Sequence, residues 1–261
     1  MTLIDLASDP SVLVRKAVAS RADAPAQALR PLTRDQDRQV REAVARNPST
    51  SIANLMRLVK DDDRWVRWAV ASNPACDESI RQVMLKTSDK ELRGLLAESR
   101  QLEPELAAKL IDDVSPEVRE RLGTHTHDPN VIDALLADRT ARVRKGVARN
   151  PRTTAAQRSA LAADPVVDVR AALVRAVELS EGDLARLVDD RAVQVRLAMA
   201  TSEFVPAHIR ETLTRDADEM VASAARDYRP GSGTASAVRA PRIAHRPSAT
   251  GTSRSSGGTS H

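Results

Sequence analysis

The chain has 261 residues, 41% hydrophobic and only 2% aromatic, so leucine, valine and alanine must supply most of the core, which predicts an all-α protein and disfavours a β-rich fold. The formal net charge of +4 comes from 40 basic and 36 acidic residues, and the single cysteine, Cys76, excludes an intramolecular disulfide. No apolar run is long enough to cross a membrane and the first ten residues lack a secretion signal, so we expect a cytoplasmic protein without membrane contact.

A repeat begins close to the first residue and runs through most of the chain. The dipeptide Val-Arg returns at steps of 26 residues, with one step of 25, at Val14-Arg15, Val40-Arg41, Val66-Arg67, Val118-Arg119, Val143-Arg144, Val169-Arg170 and Val195-Arg196. Leu92-Arg93 and Val221-Ala222 stand at the two remaining positions. Eight residues before each of these positions is a leucine or methionine, and five residues before it is an aspartate, except for Thr87. Nine copies in one register predict a repeat protein.

Each copy predicts two short helices. The valine and the apolar residue four positions later share one helical face, which indicates an amphipathic helix. We expect the aspartate to be its N-cap, with Pro10 and Pro165 in the first helical position. Dipeptides such as Asn47-Pro48 should end it, with the asparagine in a left-handed conformation. A second, shorter helix should then run to the leucine column from cap residues such as Ser51, Asp77, Thr154 and Ser180.

Such a pair of helices cannot bury its apolar stripe alone, so nine pairs are expected to stack into an α-solenoid. The pattern Asp-x-x-x-x-Val-Arg-x-Ala resembles the second helix of HEAT repeats, and the Val-Ala-x-Asn-Pro-x-Thr segments beginning at Val44 and Val147 resemble the leucine-rich repeat variant family. The resemblance covers residues 1 to about 227 and implies repeats that pair an α-helix with a shorter, often 3₁₀, helix. It also implies that the Asp and Arg columns bridge successive repeats rather than bind a ligand. The iron–sulfur segment of the variant family's founding member has no counterpart here.

The third repeat departs from the pattern. The position before the column valine and the position two after it are mostly polar or small in the other copies, so both should face solvent. By resemblance to HEAT stacks, this face lines the concave surface. Trp65 and Trp68 occupy the two positions, with Arg64 beside them, which is the composition of a binding hot spot. The expected partner-binding residues are Trp65, Trp68, Arg64, Arg38, Lys60 and Lys90.

Three interpretations of this region stay open. The first is a non-enzymatic scaffold that binds a protein or peptide partner on the concave face. The second is a sequence-tolerant nucleic-acid binder that uses the basic columns of repeats 2 to 4 and the C-terminal arginines. Against it, Asp61, Asp62, Asp63 and Asp89 lie among these bases, and layers roughly 9 to 10 Å apart do not match the phosphate step of about 3.4 Å per strand. In the third, the tryptophans merely pack against the preceding repeat.

The remaining motifs do not indicate catalysis. His125, His127 and Asp128 have the spacing of metal ligands, but His125 stands where other copies have asparagine and Asp128 precedes Pro129, which predicts a turn and a helix cap. No nucleophile with a base and no phosphate-cradling glycine loop is evident. We expect no enzyme activity, no cofactor and no metal ion.

The C-terminal segment differs from the repeats in composition. Residues 228–261 contain five arginines and no acidic residue, so the rest of the chain holds 35 basic and 36 acidic residues. Residues 229–261 are rich in Gly, Ser, Thr, Pro and Arg and poor in large apolar side chains, which predicts a disordered tail. The ninth copy replaces the arginine by Ala222, as a terminal cap would, so the solenoid domain is expected to span residues 1–228 of a monomer.

Overall fold

A computed structural model describes residues 1–99 and 102–229 of the chain. Within these residues it contains eighteen α-helices and no strand. In chain order the helices are α1 Leu3–Leu6, α2 Val12–Ser20, α3 Ala26–Leu32, α4 Arg38–Arg46, α5 Ile52–Leu58, α6 Arg64–Ala71, α7 Glu78–Leu85, α8 Lys90–Ala97, α9 Pro104–Ile111, α10 Pro116–His125, α11 Pro129–Leu136, α12 Ala141–Ala148, α13 Ala155–Ala162, α14 Val167–Ala176, α15 Glu181–Val188, α16 Val193–Thr201, α17 Ala207–Leu213 and α18 Glu219–Asp227. The predicted tail lies outside the described residues from position 230 onward, and the boundary at 228 stays a prediction.

The helices form nine consecutive pairs, which we call layers 1 to 9. Each even-numbered helix packs on the next even-numbered helix, and the odd-numbered helices form a second, parallel row. The chain is therefore an all-helical repeat solenoid, as the sequence predicts. The even-numbered row packs more extensively than the odd-numbered row. Both helices of every layer are α-helices, so the shorter helix, which is often 3₁₀ in the family that the sequence resembles, is α-helical in this chain.

A continuous apolar core runs between the two rows. In layers 2 to 9 the column valines and the apolar residues four positions later are almost fully buried, as Val40 and Val44 show in α4, and the leucine column is buried with them, as Leu58 shows in α5. In layer 1, Val14 and Leu6 are only half-buried. Helices of about eight residues are unstable alone, so stacking supplies most of their stability. Because each layer needs only small aliphatic side chains, the scarcity of aromatic residues follows from the fold.

The even-numbered helices begin two residues later than the sequence suggests. Asp35 is not an N-cap, because its Oδ1 accepts the backbone N–H of Asp37 at 2.9 Å. Asp37 is the N-cap of α4 and accepts the N–H of Gln39. The same turn precedes the other even-numbered helices, so Pro10 and Pro165 lie before the helices rather than in their first position. The expected caps of the odd-numbered helices, Ser51, Asp77, Thr154 and Ser180, are confirmed.

The column aspartates are instead held by arginines of the preceding layer. Arg170 donates from Nε and Nη2 to the two carboxylate oxygens of Asp190 at 2.6 and 2.9 Å, and from Nη1 to the carbonyl oxygen of Asp164. We call this series the Arg–Asp ladder, and its paired rungs are Arg15–Asp35, Arg41–Asp61, Arg93–Asp113, Arg119–Asp138, Arg144–Asp164, Arg170–Asp190 and Arg196–Asp216. Bidentate pairs of this kind combine charge with fixed geometry. The bridging role that the resemblance implies is thus confirmed.

A second set of contacts joins the layers near the ends of the even-numbered helices. Asn47 Nδ2 donates to the carbonyl oxygens of Ala19 and Arg21 in the preceding layer, both at 2.7 Å. Asn73 and Asn150 make equivalent bonds. Asn47 has φ −70° and ψ 123°, so the expected left-handed conformation is wrong. The asparagine is buried there because it satisfies carbonyl groups that the preceding helix leaves open.

Candidate binding surface

Three of the expected partner-binding residues lie together on α6. The N-cap Asp63 accepts the N–H of Trp65 at 2.8 Å and fixes the first turn of the helix. The rings of Trp65 and Trp68 meet edge to face, with centroids 4.9 Å apart and planes at 74°. The guanidinium carbon of Arg64 lies 5.0 Å from the Trp65 centroid and 5.7 Å from that of Trp68, within cation–π range. We call Arg64, Trp65 and Trp68 the tryptophan cluster.

The two tryptophans differ in exposure. Trp65 is 40% exposed, as expected for a solvent-facing position. Trp68 is half-buried against the core, and its indole Nε1 is buried without a hydrogen-bond partner. The expectation that both face solvent is therefore wrong for Trp68, because its column is half-buried or buried in every layer, whatever the residue. Of the two tryptophans, Trp65 is thus the exposed one, and Trp68 packs between it and the core.

The expected basic residues do not all join this cluster. Arg38 lies 3.4 Å from Glu42 and 3.8 Å from Asp63, so its charge is partly neutralised. Lys60 follows α5 and lines a cleft with Arg67 and Lys86, which none of the cluster residues lines. Lys90 is exposed at the start of α8. A hydrogen bond from Ser115 lowers the pKa of Glu117 in the next layer, and the positive charge of Lys90 adds a smaller effect in the same direction.

The exposed side of the even-numbered helices, which we call the even-helix face, carries an ion-pair network in layers 4 to 7. Arg121 lies 2.6 Å from Glu91 and 3.4 Å from Glu98. Further pairs are Arg142–Glu117, Arg142–Glu120, Arg149–Glu120 and Lys145–Asp168. The sequence places acids and bases of adjacent layers in neighbouring columns, but the repeat pattern alone does not predict that they pair. Its members neutralise one another, so this part of the face offers few unpaired charges.

A glycine makes room for part of this network. Gly94 stands in the column of Trp68, one layer further along. A Cβ at Gly94 would lie 2.6 Å from Nη1 of Arg121, so any other residue there would displace the arginine. The Arg121 side chain therefore covers this part of α8. A ligand that contacted Trp68 and continued along the even-helix face would meet Arg121 there.

Layers 1 to 3 of the even-helix face are more open. A groove between α2 and α4 is lined by Lys16, Ser20, Arg38, Gln39, Glu42 and Arg46, among others. Leu13 is 77% exposed and stands in the same column as Gln39 and Trp65. Exposed apolar side chains thus lie at both ends of this column in the first three layers, with polar groups between them.

The histidine motif lies at the connection between α10 and α11. His125 does not take the buried position of Asn47 and Asn150, because it is exposed and still helical, and the buried Thr126 is the C-cap instead. His125 is the last residue of α10, and its Nδ1 lies 3.0 Å from the carbonyl oxygen of Arg121. Asp128 is the N-cap of α11, which begins at Pro129. Across residues 1–99 and 102–229, no three His, Cys, Asp or Glu side chains are grouped to hold a metal ion. None of the helices in that part of the chain has the length and apolar character needed to cross a membrane.

Some solved structures similar to this chain are repeat proteins. No family model matches the chain, and no curated protein matches it in sequence. The chain is similar to a solved leucine-rich repeat variant with a novel repetitive protein structural motif, at 25% identity over 86% of this chain and 79% of that one, with a TM-score of 0.48. It is also similar to a designed armadillo repeat protein, at 18% identity over 86% and 95% of the two chains, with a TM-score of 0.19. The helices and ladders of the chain itself establish the solenoid.

Proposed function

We propose that this helical repeat scaffold binds a protein partner along layers 1 to 3 of its even-helix face, with Trp65 as the anchor. The observation that carries the proposal is the tryptophan cluster. Arg64 makes no ion pair or hydrogen bond within the described part of the chain, and it stacks on a ring that the core does not need. Exposed tryptophan and arginine are the residues most often responsible for binding energy at protein interfaces.

The spacing of the exposed residues suggests an extended segment as the ligand. Leu13 and Trp65 stand two layers apart, which corresponds to roughly 18 to 20 Å. An extended chain covers that distance in about six residues, at roughly 3.3 Å each. The groove between them has three basic side chains, Lys16, Arg38 and Arg46, and one acidic side chain, Glu42. A matching segment has an apolar residue at each end and acidic or amide residues between.

The more extensive packing of the even-numbered row supports the view that its exposed face is the inner, concave side of the solenoid. The proposal includes a monomeric, non-enzymatic protein in the cytoplasm, with a solenoid domain at residues 1–228 and a basic tail at 229–261.

A peptide-display selection on the full chain tests this function. We expect enriched peptides to carry two apolar residues about six positions apart, at roughly 3.3 Å per residue, and Trp65→Ala to weaken their binding by at least about tenfold. Met220→Ala is the matched control, because Met220 is 65% exposed and occupies the same column in layer 9. Equal losses in the two variants, or no enriched sequence, would contradict the proposal.

The nucleic-acid alternative makes a different prediction. Binding of a single-stranded oligonucleotide should then weaken steeply with added salt and should not depend on Trp65 more than on Lys60. In the structure, Asp61, Asp62 and Asp89 line the same cleft as Lys60 and Lys86, so the basic columns do not form a continuous positive strip for a phosphate backbone.

A further inference from the structure

The Arg–Asp ladder is interrupted once, between layers 3 and 4. Thr87 stands where the other layers have the aspartate. Arg67 therefore donates from Nη2 to Asp89, the N-cap of α8, at 2.5 Å, and from Nη1 to the carbonyl oxygens of Asp61 and Asp62 at 2.7 and 2.9 Å. Its Nε is buried and has no hydrogen-bond partner. In each of the seven paired rungs, the same Nε donates to a carboxylate oxygen.

The replacement changes both the charge and the hydrogen bonding of this junction. Threonine is shorter than aspartate and neutral, and the Thr87 hydroxyl accepts the N–H of Asp89 at 3.2 Å. A buried donor on a charged group is unfavourable unless an acceptor reaches it, and an oxyanion is the acceptor that guanidinium groups bind best. The junction thus keeps one carboxylate contact, from Asp89 to Nη2 of Arg67, and lacks the contact to Nε.

The surroundings of Arg67 favour an anion. Arg67 lines an open cleft with Lys60, Lys86, Thr87 and Ser88, and with the acids Asp61, Asp62 and Asp89. Within residues 1–99 and 102–229, neither lysine makes an ion pair or a hydrogen bond, and both are exposed. Two of the acids already have partners, because Asp61 pairs with Arg41 and Asp89 with Arg67. The exposed Asp62 is the remaining negative charge, against two lysines.

The neighbouring junction provides an internal comparison. A similar cleft between layers 2 and 3 is also lined by basic residues, Arg34, Arg57 and Lys60. There, however, Arg41 donates from Nε to Asp61 at 2.8 Å, so its rung is complete. The unpaired Nε is the feature that distinguishes the cleft between layers 3 and 4.

We propose that the cleft between layers 3 and 4 binds an oxyanion, either phosphate or a carboxylate, with Arg67 Nε as the central donor and Lys60 and Lys86 as flanking charges. The bound group replaces the missing aspartate and completes the ladder. This site is separate from the tryptophan cluster, so the two proposals succeed or fail independently.

Titration of the full chain with inorganic phosphate and, separately, with acetate tests the site, at an ionic strength held constant with sodium chloride. The readout is the Nε–H resonance of Arg67 in a nitrogen-labelled sample. We expect a saturable shift with at least one anion and none with chloride, and comparison of the two titrations shows which chemistry the site prefers. A response that never saturates, or none with either anion, would overturn the proposal.

Two variants sharpen the test. Thr87→Asp supplies the carboxylate within the chain, so the Arg67 signal should no longer respond to either anion. Lys86→Ala should weaken binding by about tenfold, the effect of one charge-assisted contact, whereas Lys109→Ala on the exposed side of α9 should not. An unchanged response in Thr87→Asp contradicts the site, and if that variant does not fold, equal affinities of the two lysine variants contradict it.

Discussion

The rung between Arg170 and Asp190 shows how single residues stabilise the stack. Their side chains are 7% and 9% exposed, so both charges are largely removed from water. Burial raises the pKa of Asp190, but hydrogen bonds from Arg170 and from the N–H of Ala192 outweigh it, and the pKa lies below its ordinary value. The folded state therefore binds the proton of this carboxyl more weakly than the unfolded state does.

We expect Asp190→Asn to lower the free energy of unfolding by about 3 kcal/mol at pH 7, because it leaves Arg170 buried without its counter-charge. Since the pKa of Asp190 is lowered on folding, its stabilisation is complete above the unfolded pKa of about 3.9 and is lost as pH falls through the lower, folded pKa. Urea denaturation from neutral to strongly acidic pH measures both effects.

The matched control for this substitution is Asp62→Asn, because Asp62 is exposed and lies outside the ladder. It should change stability little at any pH. A difference between Asp190→Asn and the unaltered chain that stays constant into strong acid would show that the carboxylate charge does not stabilise this rung.

At the scale of residues, periodicity alone predicted the ladder columns but not their local geometry. A repeat shows that an aspartate recurs, yet it does not show whether the carboxylate caps a helix or accepts the N–H of the residue two positions later in the preceding turn, as Asp35 does. The site was predicted in part for the same reason. Arg64 and Trp65 follow from the columns that break the pattern, whereas the burial of Trp68 and the reach of Arg121 across Gly94 depend on the distance between adjacent helices.

At the scale of helices, α10 and α12 approach each other closely at Gly146. These two helices are separated by the single repeat step of 25 residues, and they pack more extensively than any other helix pair in the described part of the chain. A Cβ at Gly146 would lie 2.5 Å from the carbonyl oxygen of Glu120, a backbone atom that cannot turn aside. Glycine at this position is therefore required by the contact, although sequence analysis assigned it no role.

We expect Gly146→Ala to lower the free energy of unfolding by about 2 kcal/mol, because α12 must move away from α10. Gly182→Ala is the opposite case, since a Cβ at Gly182 would meet nothing within 4 Å. There the loss of backbone freedom in the unfolded chain should raise stability by about 0.5 kcal/mol. Urea denaturation of the two variants checks both signs, and a gain in stability for Gly146→Ala would exclude the close approach.

At the scale of the whole molecule, each layer packs against its neighbours, so the solenoid has no single central core. Stability is then a sum of layer terms and junction terms, so a weak junction divides the solenoid into blocks. The junction between α6 and α8 packs less extensively than the adjacent junctions of the even-numbered row, and it has the incomplete rung at Thr87. The repeat pattern predicts the number of layers but not the weaker packing of this junction.

We expect hydrogen exchange to divide the chain at this junction. The amides of α2, α4 and α6 should exchange as one group, and those of α8 through α16 as another, with a different opening free energy. Thr87→Asp should reduce the difference between the opening free energies of the two groups, because it adds the missing Arg–Asp pair. Native-state exchange followed by mass spectrometry measures this, and a single uniform opening in the unaltered chain would contradict the division.

The Arg–Asp ladder also has a direction, which matters for assembly. Every rung donates from an earlier layer to a later one, and the ninth layer has Ala222 where the donor would be. A second copy stacked on layer 9 would thus leave its Asp9 without an arginine. Head-to-tail contacts of this kind generate open filaments when they repeat. Because layer 9 lacks this guanidinium group, no Arg–Asp pair would form between stacked copies, and such a filament would lack the interaction that joins the layers within one chain.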